Sequence, residues 1–479
     1  MLRRLLKDSV IYSLATFLSR GISLLLIPFY TRALSPEAYG IIDMLTIFGT
    51  LATQVVTLQI TQGLARFFAD ADEAQRRLYA SSSLWFSLVM FGVFGAIAWA
   101  IAEPLSTQLL NAPGHADVFR LSLLAVIGNG LFYFFQNQLR YQLQPMRYAI
   151  ASLLYTLVNA GVAFYAIVIA QSGVNGFFAA QVLGALLGMG VAWAYCRDLY
   201  GLVFSSKACQ ALLAYSFPLV PSSLFVVVTA YIDRIAIRTL MTVSDVGLYG
   251  IGFRLASVIS LAMVGIQGAL TPLIYARYRE ASTPGEIARL FRLFMAVCFP
   301  ILLFIALFAR EMLVILTGPE YHDAWPIMPF VATSSLLASL YIFAPGLDIA
   351  KKTKTIAGIN LGSALVNTGL NFLLIPLLGI VGAALGTCIS AFLMFMGYWY
   401  FGARHYRIPF DWSRLMAAGA ILAVVTGFGI QSSSAAWGLK LGIWCLATMG
   451  VTAVLVKRPE VAQLFRRVRL EQVGAPPTN

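Results

Sequence analysis

The sequence predicts an all-α integral membrane protein of fourteen transmembrane helices: two six-helix repeats of equal orientation, followed by two extra helices. Three observations predict it. The 479 residues are 59% hydrophobic and 11% charged, with a mean hydropathy of +0.81, more apolar sequence than a soluble core can bury. Apolar stretches of membrane-crossing length recur, and the connections between them alternate between cation-rich and cation-poor. Parts of the chain also repeat at an offset close to 208 residues.

The first stretch, Val10–Tyr30, has 21 residues, enough at 1.5 Å per residue to cross a hydrocarbon core of about 30 Å. Arg3, Arg4 and Lys7 flank it as they would a signal peptide. The stretch is too long for a signal h-region, and no small-residue cleavage site precedes Pro36, so it is expected to be retained. Arg20 stands in its middle. A cation at that depth costs about 2.5–3.5 kcal/mol against lipid, so it must face water or an anion. Ser9, Ser13, Thr16, Arg20 and Ser23 recur at spacings 4, 3, 4 and 3, which places them on one helix face.

Thirteen more apolar segments follow, at 41–63, 79–102, 118–139, 148–170, 177–196, 211–232, 247–270, 291–309, 326–347, 355–376, 379–401, 414–430 and 437–456. Connections on the N-terminal side hold 25 of the 33 Lys and Arg residues, the opposite side holds six, and Arg20 and Arg254 are embedded. The positive-inside rule then places both termini in the cytoplasm. The net charge of +13 reflects these basic loops and implies no nucleic-acid partner.

Leu157–Phe164 matches Leu365–Phe372 at an offset of 208, Gly173–Gly176 answers Gly379–Gly382 at 206, and Tyr39–Ile41 answers Tyr249–Ile251 at 210. Six spans per copy is an even number, so the copies share one orientation about an axis along the membrane normal, with a transport path expected between two lobes. The division is 1–205 for the N-terminal lobe, 206–405 for the C-terminal lobe, and 406–479 for the last two spans and a basic tail.

Polar stripes at helical spacing mark the candidate site. The second span carries Asp43, Thr46, Thr50, Thr53 and Thr57, the fourth carries Asn129, Tyr133, Gln136 and Arg140, and the eleventh carries Asn360, Ser363 and Asn367. Taken singly, such residues are helix–helix contacts; several together, with two embedded arginines, favour a hydrophilic cavity. Arg254 in the eighth span is the second embedded cation. Arg234 and Arg238 lie one turn apart near the outer end of the seventh span, beside Asp233, and two readings stay open: an anion site or a structural ion cluster. Arg66, closing the second span, reads equally as a cavity residue or a surface anchor.

Other chemistry finds no support. The five cysteines and three histidines have no metal-ligand or disulfide spacing, and no phosphate loop, nucleophile elbow or HExxH is present, so neither enzyme nor cofactor is expected. All 20 carboxylates fall in loops or near segment ends. A proton- or Na⁺-coupled cation exporter keeps one embedded, whereas an excess of embedded cations suits an anionic headgroup held as arginine holds phosphate.

The run Pro28-Phe29-Tyr30-Thr31-Arg32-Ala33-Leu34, closing at Tyr39-Gly40, resembles the first helix and first outer loop of the polysaccharide (O-antigen and exopolysaccharide) flippases of the multidrug/oligosaccharidyl-lipid/polysaccharide exporter superfamily. Tyr215-Ser216-Phe217-Pro218-Leu219, Asp233-Arg234, Val246-Gly247-Leu248-Tyr249-Gly250, Leu316-Thr317-Gly318-Pro319-Glu320-Tyr321 and Asn371-Phe372-Leu373-Leu374-Ile375-Pro376 follow in the family's order. The resemblance covers the first twelve spans. It implies two six-helix bundles in a V and movement of polyprenyl-diphosphate-linked glycan from the inner to the outer leaflet of the cytoplasmic membrane. A polysaccharide polymerase and a chain-length regulator are the expected partners, and Arg20 and Arg254 would face the diphosphate–sugar headgroup. Two alternatives remain open: a flippase for the peptidoglycan lipid precursor, and a cation/drug antiporter of the same superfamily. Coupling to membrane potential, H⁺ or Na⁺ is likewise open.

Overall fold

The computed structural model describes residues 2–260 and 277–456, with the single positions 263, 270 and 274 between them. The helices are α1 (Leu2–Leu25), α2 (Ile27–Ala33), α3 (Pro36–Val56), α4 (Ile60–Asp70), α5 (Glu73–Ala100), α6 (Ala102–Leu110), α7 (Ala116–Tyr141), α8 (Pro145–Phe164), α9 (Gly173–Cys196), α10 (Ser206–Ser216), α11 (Val220–Leu240), α12 (Val243–Ala256), α13 (Thr283–Leu316), α14 (Met328–Leu337), α15 (Thr353–Leu378), α16 (Ile380–Gly402), α17 (Trp412–Gln431) and α18 (Trp437–Leu455). Among the described residues, 13 helical stretches are long and apolar enough to cross a membrane. They match every expected span except the eighth. α12 supplies its first half, and the rest of 247–270 lies largely outside the described residues, as do the basic positions Lys457 to Arg469.

Several spans expected as single rods are broken; the second breaks without proline between α3 and α4, where Leu58 and Gln59 take positive φ of 45° and 57°, and three others break beside prolines. The chain turns at Leu26, between α1 and α2, with Pro28 in the first turn of α2. Proline has no N–H to give the preceding turn, and its ring crowds that turn's carbonyl. Pro218 and Pro221 divide the seventh span into α10, a 3₁₀ turn and α11. α11 then continues to Leu240, so Asp233, Arg234 and Arg238 lie inside a helix rather than near its outer limit at 232. The tenth span is assembled from a 3₁₀ turn over Pro319–Ile327, α14 and a second 3₁₀ turn over Leu340–Phe343.

By packing, the chain forms two compact units. The first runs to Ile251 and takes in Leu316–His322; the second comprises Gly252–Ile315 and the chain from Asp323 onward. The first unit is cored near its basic end by Leu64, Phe68, Phe132, Phe134, Phe135, Leu139, Ala151 and Ala192. α17 and α18 dock on α13 in the second unit. The Trp444 indole N–H donates to the Pro300 carbonyl (2.9 Å), a Cβ on Gly429 would come within 2.3 Å of the Ala306 carbonyl oxygen, and fully buried Lys440 pairs with Glu311.

The repeat is visible in the two hairpins α8–α9 and α15–α16. Gly173 and Gly379, matched in sequence, open the second helix of each with φ of +56° and +60°, where an L side chain would be strained. A Cβ on Gly176 would lie 2.9 Å from the Ala166 side chain, and one on Gly382 would lie 2.3 Å from the Leu374 carbonyl oxygen. Leu374 follows Ala166 by the repeat offset of 208.

Candidate functional site

α1 presents three strips. Ala15 is buried and Ser19 half-buried on the strip against α8, where Thr156 Oγ1 donates to Ser19 Oγ at 2.9 Å. Leu14, Phe17, Leu18 and Leu25 are exposed. Thr16, Arg20 and Ser23 are also exposed and fall within about 60° of one another around the helix axis, beside the packed strip. Among the described residues no hydrogen bond or ion pair reaches Arg20. α1 therefore carries an exposed polar strip (Thr16, Arg20, Ser23) and a separate exposed apolar strip (Leu14, Phe17, Leu18, Leu25).

α7, α8 and α9 carry a polar cluster within the same unit. Asn129 Nδ2 donates to Gln181 Oε1 (2.9 Å), and the Tyr155 hydroxyl donates to Asn129 Oδ1 (2.9 Å). Tyr155 stacks on Phe132 with centroids 4.5 Å apart and planes 9° from parallel, while Tyr133 lies 6.4 Å from Tyr155 and remains exposed. Tyr148, Ser152, Tyr155 and Asn159 are all half-buried on one face of α8.

The hydroxyl stripes are self-bonded. Thr16 donates to the Tyr12 carbonyl, Ser23 to Ser19, Thr50 to Thr46 and Thr53 to Gly49, at 2.8–3.0 Å. With its proton committed to its own helix, each hydroxyl presents lone pairs outward, suited to donors such as sugar hydroxyls rather than to phosphate oxygens.

Asp233 and Arg234 are 4% and 5% exposed, inside the first unit. Arg234 Nε lies 3.3 Å from Asp43 Oδ2 and Arg234 Nη1 lies 3.5 Å from Asp233 Oδ1, with the Tyr231 and Tyr249 rings 5.7 and 5.5 Å from the guanidinium. These residues form a buried ion cluster, completed by Asp43 from the second span. Arg238 is also engaged: its Nε donates to the Leu109 carbonyl (2.8 Å) and Nη2 to that of Gln108, at the C-terminus of α6, where the carbonyl dipoles favour a cation.

Three of the strings that carry the family resemblance, at 28–40, 246–250 and 316–321, meet beside this cluster. A Cβ on Gly40 or Gly247 would sit 1.9 Å from the carbonyl oxygen of Val243 or Pro36, so the starts of α3 and α12 press backbone to backbone. The Gly318 N–H donates to Thr31 Oγ1 (3.3 Å), and the Tyr321 hydroxyl donates to the Leu34 carbonyl (2.8 Å). These motif residues form a seam at the cation-poor end of the unit.

The remaining expected residues scatter. Arg66 is exposed and paired with Asp70 on α4, whose carboxylate holds the guanidinium above its ordinary pKa through their hydrogen bond; the surface anchor is the better description. Arg254 is half-buried in the second unit, where its carbonyl accepts from Ser257 Oγ at 3.1 Å. Asn367 is buried there and accepts from Asn371 Nδ2 at 3.1 Å. The sequence reading missed Tyr148, Ser152, Tyr155 and Gln181. The 4-, 3- and 4-residue spacings of Tyr148, Ser152, Tyr155 and Asn159 were the available signal.

A bundle of broken membrane-spanning helices in duplicated halves, with an open arginine on a polar strip and no metal-binding cluster among the described residues, defines a transporter-like membrane protein. The chain belongs to the polysaccharide biosynthesis protein family, whose model matches residues 29–326. It is 23% identical over 398 residues to Lsg locus putative protein 1 of Haemophilus influenzae, covering 79% of this chain and 95% of that protein. It is also 23% identical over 438 residues to the succinoglycan biosynthesis transport protein ExoT of Rhizobium meliloti, covering 88% and 85%. Among solved structures, the lipid II flippase MurJ in an inward closed conformation superposes with a TM-score of 0.70 at 12% identity, covering 93% of this chain and 98% of that one. That likeness extends to the fold alone.

Proposed function

We propose that this protein flips polyprenyl-diphosphate-linked oligosaccharide repeat units across the cytoplasmic membrane for O-antigen, capsule or exopolysaccharide synthesis. The observation that carries the reading is Arg20: exposed, without a partner among the described residues, and flanked by Thr16 and Ser23 on a membrane-embedded helix. Guanidinium forms a bidentate fork with phosphate oxygens, and burial in a low-dielectric setting strengthens it. Family membership and the likeness to ExoT, a transport protein of succinoglycan biosynthesis, support a glycan cargo.

In this reading the basic ends of the helices and both termini are cytoplasmic, and the Gly40–Gly247 seam lies outside. Release of cargo requires that seam to part. Each net negative charge the headgroup carries out of a negative cell interior gains about 2.3 kcal/mol per 100 mV, so membrane potential contributes to the cycle. The polymerase and chain-length regulator act on the delivered unit.

Deleting the gene should make diphosphate-linked oligosaccharide accumulate on the cytoplasmic leaflet, identified by mass spectrometry of extracted lipids. Accumulation of the peptidoglycan precursor instead would move the cargo to that class, and unchanged lipid-linked pools would remove the proposal.

A further inference from the structure

We propose that Tyr133, Tyr148 and Tyr155, with the Asn129–Gln181 amide pair, form a subsite for the first pyranose ring of the cargo; the inference rests on the diphosphate-linked glycan reading above and names how its sugar is held. Tyr133 is 49% exposed on a helix otherwise buried around it at Phe132, Phe134, Phe135 and Gln136. It stands eight residues before the end of α7, about 12 Å along the axis, so its hydroxyl lies at a depth where lipid offers nothing to bond. A ring placed there faces the wet wall.

The platform is rigid. Tyr155 is pinned by its hydroxyl to Asn129 (2.9 Å) and by stacking to Phe132 (4.5 Å between centroids). Tyr133 contacts both of those rings, at 6.4 and 5.3 Å. Tyr12 packs edge-on to Tyr148 at 5.0 Å, bringing the wall of α1 into contact with that of α8. Tyrosine has two side-chain torsions, so a preformed aromatic surface costs little further ordering on binding.

The chemistry fits a pyranose. One face of such a ring carries axial C–H bonds with partial positive charge, complementary to the negative face of an aromatic ring. Its edge carries hydroxyls that both donate and accept. After its two bonds Asn129 keeps one amide hydrogen and one lone pair, and the self-bonded Thr16 and Ser23 keep lone pairs only. In a diphosphate-linked glycan the first sugar is bonded directly to phosphate, so its subsite must adjoin the anion site. The Ser19–Thr156 hydrogen bond (2.9 Å) joins the residue before Arg20 to the residue after Tyr155.

The test uses the full-length protein in lipid nanodiscs and two probes, farnesyl diphosphate and farnesyl-diphosphoryl-N-acetylglucosamine, with affinities from titration. Wild type should bind the glycosylated probe roughly three- to tenfold more tightly. Tyr133→Leu and Tyr133→Met should erase that advantage while leaving farnesyl diphosphate affinity unchanged, and Tyr133→Phe should keep it. Arg20→Ala should weaken both probes. Equal affinity of wild type for the two probes, or an advantage that survives Tyr133→Leu, overturns the sugar subsite. If Arg20→Ala leaves both probes unaffected while Tyr133→Leu still erases the advantage, the subsite stands and the diphosphate role of Arg20 falls.

Discussion

The two copies of the repeated helix, α8 and α15, put the same pattern to opposite uses. In α8 the stripe is Ser152, Tyr155 and Asn159; at the repeat offset α15 carries Asn360, Ser363 and Asn367. The α15 stripe is drawn into packing as it runs along the helix. Asn360 accepts from the Tyr398 hydroxyl (3.3 Å), Ser363 donates to the Ser390 carbonyl (3.0 Å), and Asn367 accepts from fully buried Asn371 (3.1 Å). The α8 stripe stays half-buried along its length, and fully buried Ala163 stands at the position equivalent to Asn371. Polar residues at a spacing of three and four can thus be glue between helices or the lining of a wall, and burial together with the bonding partner decides between them.

The largest expected effect breaks the wall copy. Arg20→Ala should reduce glycan export more than tenfold at matched membrane levels, and Arg20→Lys should recover part of it, since a point charge lacks the bidentate fork. Asn367→Ala should leave export within twofold. Surface polysaccharide in a complemented null strain reads all three, and full complementation by Arg20→Ala would place Arg20 with the glue.

Next in size is the seam. A Cβ added by Gly247→Ala would sit 1.9 Å from the Pro36 carbonyl oxygen, a clash that only separation of α3 and α12 relieves. The variant should raise the reactivity of a cysteine placed at Leu248 toward an impermeant maleimide at least severalfold. Unchanged reactivity would mean that the seam is not held by this contact.

Matched hydroxyl deletions sharpen the comparison further. Tyr155→Phe releases Asn129 on the wall and should slow export a few-fold. Tyr398→Phe releases Asn360 in the packed hairpin and should instead lower stability by about 0.5–1.5 kcal/mol, read from thermal unfolding in detergent. The smallest effect is expected at Asn371→Ala, which copies the first repeat. It removes one side-chain hydrogen bond within α15, from Asn371 to Asn367, and should leave export untouched.

Much of the fold was legible because hydrophobic length is a one-dimensional signal. The breaks were less so. Pro28, Pro218 and Pro221 were visible, but a proline's effect on a span depends on whether it stands in a first turn. The shared face of Thr16, Arg20 and Ser23 on α1 was readable from periodicity, whereas the side chains of Ser9 and Ser13 lie outside the described residues. The partners of Arg234 were not, because Asp43 is 191 residues away in sequence and enters through tertiary packing alone. Asn367 misled for the complementary reason: a buried amide and an open one share the same spacing.

The attachment of the last two helices bears on how the protein is made. Glu311 lies five residues before the end of α13, and its charge partner, Lys440, is synthesised 129 residues later. Until α18 emerges, that carboxylate waits at the membrane without its counter-ion, and the Pro300 carbonyl without its indole. The second unit cannot complete itself in step with translation; its ninth span is provisional until the fourteenth arrives. A chain ended after α16 would leave α13 in that unfinished state, a substrate for membrane proteolysis rather than a smaller transporter.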